Sequence, residues 1–347
     1  TMIIQLDKNI TQEQRQFLVE ELNRLSISPN FVSTQFTNYI VGIPKKEFDI
    51  RLIGNLPGIA DIHFVPDNSK LVSRKWKTKN TIIDLGDEVK IGGDELAIMA
   101  GPCSIESESQ IESIVQHLVR NNVRIMRGGV FKPRSSPYSF RGLGIDGLKL
   151  FYKHCAANKI KIITEVMEAD QIEEMYDYID VYQVGTRNSQ NFNLLDALGR
   201  VDKPVMIKRA MSGNIEELLS SAEYVFSNGN EKILLCERGI RTYEKIYRNT
   251  LDLNAVPILK EKSHLPVIVD PSHGIGIRAH VADMALAGVM AGADGIIVEI
   301  HEYPEKAFSD GQQTLNYQMA SGLYSALLKT KKLREELSLE MANGHSY

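Results

Sequence analysis

The sequence predicts a (β/α)8 barrel of the TIM type preceded by a small ferredoxin-like βαββαβ module. Three observations carry this. Eight short apolar runs lie between residues 96 and 301, each ending in a residue able to bind a metal or an anion. Helix-like segments separate the runs, the pattern of buried parallel strands in a closed barrel whose strand ends meet on one rim. Finally, 347 residues exceed the roughly 250 a barrel needs, and the surplus lies at the N-terminus.

Residues 1–66 supply the module. MIIQL predicts a strand, 11–26 a helix, NFVSTQF and NYIVGI two strands, 45–56 a second helix and IADIHFV a fourth strand, which is βαββαβ order. Thr11 and Gln14 make a capping box, and Phe17, Leu18, Leu22 and Leu25 recur at helical spacing. Residues 67–80, polar and basic around the lone Trp76, read as a solvated linker. The barrel domain spans 81–347. It opens with IIDLGDEVKIGG, a hairpin expected to plug the barrel floor.

The strand runs are LAIMAGP before Cys103, RIM before Arg127, KIIT before Glu165, VYQVGT before Arg187, PVMI before Lys208, KILLC before Glu237 and Arg238, LPVIVDPS before His273, and GIIV before Glu299. Helices are expected at 107–121, 145–158, 168–178, 191–199, 214–227, 253–262, 278–291 and 315–340. In the seventh of these, Val281, Met284, Ala285 and Gly288 form a narrow face of modest side chains suited to close packing.

A net charge of −4 with mixed signs argues against nucleic-acid binding and a polybasic membrane anchor. No run approaches the roughly 18 apolar residues of a membrane span. The first residues lack the regions of a signal peptide, so a cytoplasmic protein is expected. Three scattered cysteines form no disulfide framework.

Cys103, His273, Glu299 and Asp310 fall at or beyond the ends of the first, seventh and eighth barrel strands, which are neighbours in a closed barrel. One thiolate, one imidazole and two carboxylates suit a divalent transition ion such as Mn, Fe, Co or Zn. Cys155, Cys236, His264 and His280 read as structural, and His301 as a group supporting the ligands. Arg127, Lys132, Arg134, Arg187, Lys208, Arg209, Arg238 and Arg241 crowd the same rim and would repel one another unless anions sat among them. The Gly-rich segment 142–147 matches a dinucleotide fingerprint in form but does not follow a strand, so that reading is set aside.

These residues resemble the 3-deoxy-D-arabino-heptulosonate 7-phosphate (DAHP) synthases. The matching motifs are Gly-Pro-Cys-Ser at 101–104, Arg127 with Lys-Pro-Arg-Ser-Ser at 132–136, Gly-Thr-Arg at 185–187, Ile-Lys at 207–208, Asp-Pro-Ser-His at 270–273, Val-Glu at 298–299 and Ser-Asp-Gly at 309–311. The resemblance implies a transferase of the shikimate pathway that condenses phosphoenolpyruvate with erythrose 4-phosphate. It implies metal ligation by Cys103, His273, Glu299 and Asp310. It also implies phosphoenolpyruvate held by Arg127, Lys132, Arg187, Lys208 and Arg238, the sugar phosphate held by Arg134 and Ser135, and Thr186 as a further substrate-binding residue. Lys132, Glu165, Lys208 and His273 are the expected catalytic groups, with Glu165 and Lys208 as a pair handling water and its proton. The module resembles the regulatory domain of one subgroup, implying a homotetramer inhibited by an aromatic amino acid, tyrosine or phenylalanine, that closes modules over the barrel mouth. Two rival readings are a 3-deoxy-octulosonate 8-phosphate synthase and a non-catalytic, metabolite-sensing barrel.

Overall fold

The structure, a computed structural model, describes residues 1–132, 138 and 140–344. The module comprises β1 (Met2–Leu6), α1 (Gln12–Arg24), β2 (Ile27–Ser33), β3 (Asn38–Pro44) and β4 (Ile59–Phe64). Its four strands form an antiparallel sheet in the order β2-β3-β1-β4. The expected capping box at Thr11 is present. One sheet face buries Ile4, Leu6 and Ile40 against Leu18 and Leu22 of α1. The expected second helix is reduced to a 3-10 turn at Ile50–Leu52, because the Asp49 carboxylate takes the Arg51 N–H and Gly54 and Pro57 follow at once. Strand β2 starts earlier than expected and runs through Pro29, which an edge strand tolerates because that residue's missing donor faces no partner.

Eight parallel strands close the barrel. They are β7 (Ala97–Gly101), β8 (Ile125–Arg127), β9 (Lys161–Val166), β10 (Val181–Val184), β11 (Val205–Lys208), β12 (Ile233–Glu237), β13 (Val267–Val269) and β14 (Gly295–Glu299), with β14 pairing to β7. The expected helices are present from α2 (Glu108–Arg120) and α3 (Gly144–Ala157) onward, through α4 (Gln171–Met175), α5 (Phe192–Leu198), α6 (Ile215–Ser227) and α7 (Ala255–Lys262). The expected 168–178 helix is the short α4 followed by a 3-10 turn. A five-residue turn of helix, α8 (Pro271–Ile275), precedes α9 (Arg278–Ala291), and α10 (Tyr317–Gly344) closes the chain. On α9, Val281, Ala285 and Gly288 are buried. A Cβ on Gly288 would lie 3.1 Å from Val269 of β13, so the small residue sets the close helix-to-strand approach.

Before the barrel, β5 (Ile83–Asp84) and β6 (Lys90–Ile91) form the expected hairpin. Its Ile83, Val89 and Ile91 share one apolar cluster with the lumen residues Met99, Ile125, Ile163, Val181, Met206, Cys236, Ile268 and Ile297. The hairpin thus plugs the floor. Residues 67–80 are not a solvated linker but a docked strap. Trp76 is buried, its Nε1–H donates to Leu71 O at 2.9 Å, and its ring meets Tyr39 edge-on at 5.2 Å. Glu223 of α6 accepts the Leu71 and Val72 N–H groups, and Arg74 donates to Lys260 O and Ser263 O. The residues that deny solvation are Leu71, Val72 and Trp76, whose apolar surface outweighs the charges around them.

The second face of the module sheet, through Ile3, Val32 and Tyr39, joins the barrel's outer core. Its hairpin tip reaches the loops that precede β11 and β12: Gln35 donates to Val201 O and Asn230 Oδ1, and Thr34 donates to Glu231 Oε1 at 2.5 Å. These loops belong to the floor end. Within one chain the module therefore lies away from the barrel mouth that it is expected to close.

Candidate active site

Alternation along the strands builds the site. Residues two apart share a face, and on most strands the lumen residue two positions beyond the last apolar one is polar. Ile125 is followed by Arg127, Ile163 by Glu165, Val181 by Gln183, Met206 by Lys208, Cys236 by Arg238, Ile268 by Asp270 and Ile297 by Glu299. All seven of these polar residues are at most 9% exposed, so the lumen changes from an apolar floor to a buried ionic layer within one step of the pleat.

The metal-ligand expectation converges. Single donor atoms of Cys103, Glu299 and Asp310 lie within 4.8 Å of one another, and His273 Nε2 stands 3.3 Å from Glu299 Oε1 and 3.8 Å from Asp310 Oδ2. Cys103 donates to Asp310 Oδ2 at 3.3 Å. Burial, with the Glu299 charge adding, pushes the Cys103 thiol up to about 11. Burial also acts on Asp310, but the Arg248 guanidinium and His273 outweigh it and hold that carboxyl at about 2. Asp310 occupies left-handed backbone, φ +54°, a costly conformation for a non-glycine residue that aims its carboxylate inward. A buried thiol, imidazole and two carboxylates on one spot fit a divalent transition ion.

The cations divide. Arg127 donates to Glu299 Oε1 at 3.0 Å and to Pro102 O, while its buried Nε has no hydrogen-bond partner among the described residues. Arg238 is 3% exposed and, among the described residues, donates to Gly239 O alone; burial lowers its guanidinium from the usual value. Lys208 Nζ lies 2.6 Å from Asp270 Oδ2. Lys132 Nζ contacts Cys103 O at 2.8 Å and Cys103 Sγ at 3.2 Å, which puts it against the ligand cluster. Arg187 is exposed on the rim, and the Thr186 hydroxyl donates to Arg209 O at 2.6 Å. Arg134 and Ser135 lie outside the described residues.

Two expectations are corrected. Arg209 faces away from the lumen cations and is already paired with two carboxylates, Glu237 at 2.8 Å and Asp252 at 2.9 Å, with Gly213 O accepting from its Nε. It is one residue out of phase with Lys208, so the pleat turns it to the opposite face. Glu165 and Lys208 do not pair either. Lys208 is held by Asp270, and Glu165 lies 3.5 Å from Gln183 Nε2. His301 sits beside Glu106, with Nε2 3.8 Å from its carboxylate, and Cys155, Cys236 and His264 are buried in structural settings.

Four groups escaped the sequence reading. Asp270 bridges Lys208 and His273, with Oδ2 also 2.7 Å from His273 Nδ1. Burial would raise this carboxyl, but the His273 and Lys208 charges take it well below the usual range. Gln183 stands beside Glu165. Gln313 donates to Glu299 at 2.7 Å and accepts from Arg248 at 2.6 Å, and Arg248 lies 3.2 Å from Asp310. The lumen phase of their strands, two beyond Ile268 and Val181, was the signal for Asp270 and Gln183. Gln313 and Arg248 come from loops and carry no such phase.

Residues 78–336 match the DAHP synthetase I family. The chain is 47% identical to phospho-2-dehydro-3-deoxyheptonate aldolase of Thermotoga maritima over 274 residues, 78% of this chain and 79% of that protein. A 2-dehydro-3-deoxyphosphooctonate aldolase of Syntrophobacter fumaroxidans is 30% identical over 70% of this chain and 90% of its own. Among solved structures, the crystal structure of the Thermotoga maritima DAHP synthase aligns with a TM-score of 0.76 at 40% identity, covering 97% of this chain and 98% of that one. No helix among the described residues is long and apolar enough to cross a membrane.

Proposed function

This chain belongs to the DAHP synthetase I family, and on that premise we propose that it condenses phosphoenolpyruvate with erythrose 4-phosphate and water, giving 3-deoxy-D-arabino-heptulosonate 7-phosphate and inorganic phosphate. The observation that carries the reading is the buried ionic layer, in which Arg238 has no carboxylate partner among the described residues and Arg127, although paired with Glu299, keeps its Nε unpartnered. Such cations are costly without an anion. A compact dianionic ester with a carboxylate is the matching guest, because guanidinium forks bind both groups bidentately.

In this reading Cys103, His273, Glu299 and Asp310 hold a divalent transition ion, manganese, iron, cobalt or zinc, which supplies a Lewis acid for the aldehyde oxygen of the second substrate. Arg127, Lys208 and Arg238 hold the phosphate and carboxylate of phosphoenolpyruvate, with Arg187 and Thr186 at the rim end. They fix C3 of the enol for attack on the aldehyde carbon. Lys132, 3.2 Å from Cys103 Sγ, stabilises the thiolate and the oxygen anion that develops beside it. Glu165 is the carboxylate in the lumen left for the proton of the water that adds to C2 before the C–O bond to phosphate breaks. Arg134 and Ser135 take the phosphate of the sugar.

The reading places the reaction in the cytoplasm and the enzyme in a homotetramer, with residues 1–66 as a regulatory domain answering to tyrosine or phenylalanine. Since the module docks at the floor end of its own barrel, closure over a mouth has to act on another copy. The test is phosphate release from phosphoenolpyruvate with four- and five-carbon aldehyde phosphates, repeated with each aromatic amino acid. Preference for the five-carbon acceptor assigns the chain the activity of its phosphooctonate relatives. No turnover with either, under any metal, leaves a sensing barrel.

A further inference from the structure

Asp270 joins a candidate metal ligand, His273, to a candidate substrate cation, Lys208. It is 1% exposed. Its Oδ1 accepts the His273 backbone N–H at 3.0 Å, capping α8, and its backbone N–H donates to Glu237 O at 2.8 Å. The first bond holds Oδ1 and the second ties the main chain of Asp270 to the neighbouring strand. Its Oδ2 lies 2.7 Å from His273 Nδ1 and 2.6 Å from Lys208 Nζ. One oxygen therefore serves two donors.

The consequences run in both directions. With a proton on Nδ1 shared to Asp270, His273 turns its Nε2 lone pair toward Glu299 and Asp310, the orientation a metal ligand needs. A cation held on Nε2 would polarise the ring and strengthen the Nδ1–H bond, weakening the hold of Oδ2 on Lys208 and leaving the ammonium more available to a substrate anion. Conversely, an anion on Lys208 weakens that group's claim on Oδ2 and leaves the carboxylate more available to His273, raising its basicity as a ligand.

Resting on the proposed function above, we propose that Asp270 is a positioning residue through which divalent metal and phosphoenolpyruvate bind cooperatively, each tightening the other by the same factor. Equality of the two factors is required by linkage, and couplings of this kind are typically about 5- to 150-fold.

The experiment is titration calorimetry on the full-length protein, measuring Mn2+ affinity with and without phosphoenolpyruvate and the reverse. The wild type is expected to show a factor of about fivefold or more in both directions. Asp270→Asn keeps the cap and the shape but removes the charge, and is expected to bind both ligands more weakly with the factor reduced to one. An unchanged factor in Asp270→Asn overturns the proposal, as does a factor of one in the wild type. If Asp270→Asn does not fold, proton NMR of metal-free wild type labelled with 15N-histidine decides: phosphoenolpyruvate is expected to shift the His273 Nδ1–H resonance, and an unmoved resonance overturns the coupling. A wild type that binds Mn2+ but never phosphoenolpyruvate fails at the substrate reading instead, and the coupling falls with it.

Discussion

Gly185 offers a way to disturb Glu165 without removing it. A Cβ built on Gly185 would sit 1.9 Å from Glu165 Oε1 and 2.6 Å from its carboxyl carbon, whereas real contacts of this kind do not fall below 3.0 Å. Gly185 does not have positive φ, so an alanine suits the backbone and the strain falls on the carboxylate. Gly185→Ala must drive that carboxylate back by about 1 Å, and misplacement of this size costs about 100-fold in rate, or about 2.7 kcal/mol of transition-state stabilisation. The assay is steady-state phosphate release, with circular dichroism and thermal melting to confirm the fold. We expect kcat to fall by about 100-fold while KM for phosphoenolpyruvate changes little. A double-mutant cycle isolates the cause: in Glu165→Ala the new methyl has room, so Glu165→Ala/Gly185→Ala should be no slower than Glu165→Ala alone. Near-normal turnover in Gly185→Ala, or a further loss in the double variant, would refute the assignment of Glu165 to proton handling.

Chelation should abolish turnover and added Mn2+ restore it. Cys103→Ala should lose most activity while melting within a few degrees of wild type, and retained activity after exhaustive metal removal would sink the ligand set. Arg134→Ala should raise KM for erythrose 4-phosphate and Arg187→Ala that for phosphoenolpyruvate; if both act on one substrate, the division of the rim is wrong. A barrel beginning near Lys79 is expected to stay active and lose aromatic inhibition, but to melt below one beginning at Val65. The shorter form loses Leu71, Val72 and Trp76 and strips Glu223 and His264 of their strap partners, and equal melting temperatures would show that the strap contributes nothing. His264, buried between Thr81 and Leu71 O, is pushed down to about 3 by burial. The unfolded chain therefore takes up a proton first, so stability present above about pH 6.5 should be lost as pH falls toward 3. His264→Gln should flatten that slope in a melting series.

The barrel was legible because its signal is redundant. Eight apolar runs of strand length recur, each with a polar residue at its end, and an error in one leaves the rest standing. The convergence of the candidate ligands was legible for the same reason: Cys103, His273 and Glu299 stand at or beyond the ends of strands that closure makes adjacent. What failed was the phase of neighbours. Lys208 and Arg209 are adjacent in sequence and both cationic, yet one faces the lumen and the other Glu237. Asp270 lay inside a quoted motif, but without its lumen phase it passed for part of a turn. The strap failed for a different reason, since Leu71, Val72 and Trp76 are a minority among charges and only tertiary contacts with α6 and α7 decide their burial. Helix 45–56 was lost to local competition from the Asp49 side chain.

The floor hairpin has a kinetic corollary. With Ile83, Val89 and Ile91 closing one end, the lumen is a vessel with a single door, and every molecule that enters or leaves must use it. On the proposed assignment the enol ester belongs at the bottom, against Arg127 and Lys208, while the aldehyde substrate follows it through the same opening. A sugar phosphate that arrived first would stand in the doorway of the ester. Traffic in such a vessel has to queue: the ester loads first, the aldehyde second, and the seven-carbon product must clear the entrance before the next ester can pass. Dead-end inhibition by an unreactive sugar phosphate should therefore be competitive with erythrose 4-phosphate and uncompetitive with phosphoenolpyruvate, a pattern that a barrel open at both ends would not impose.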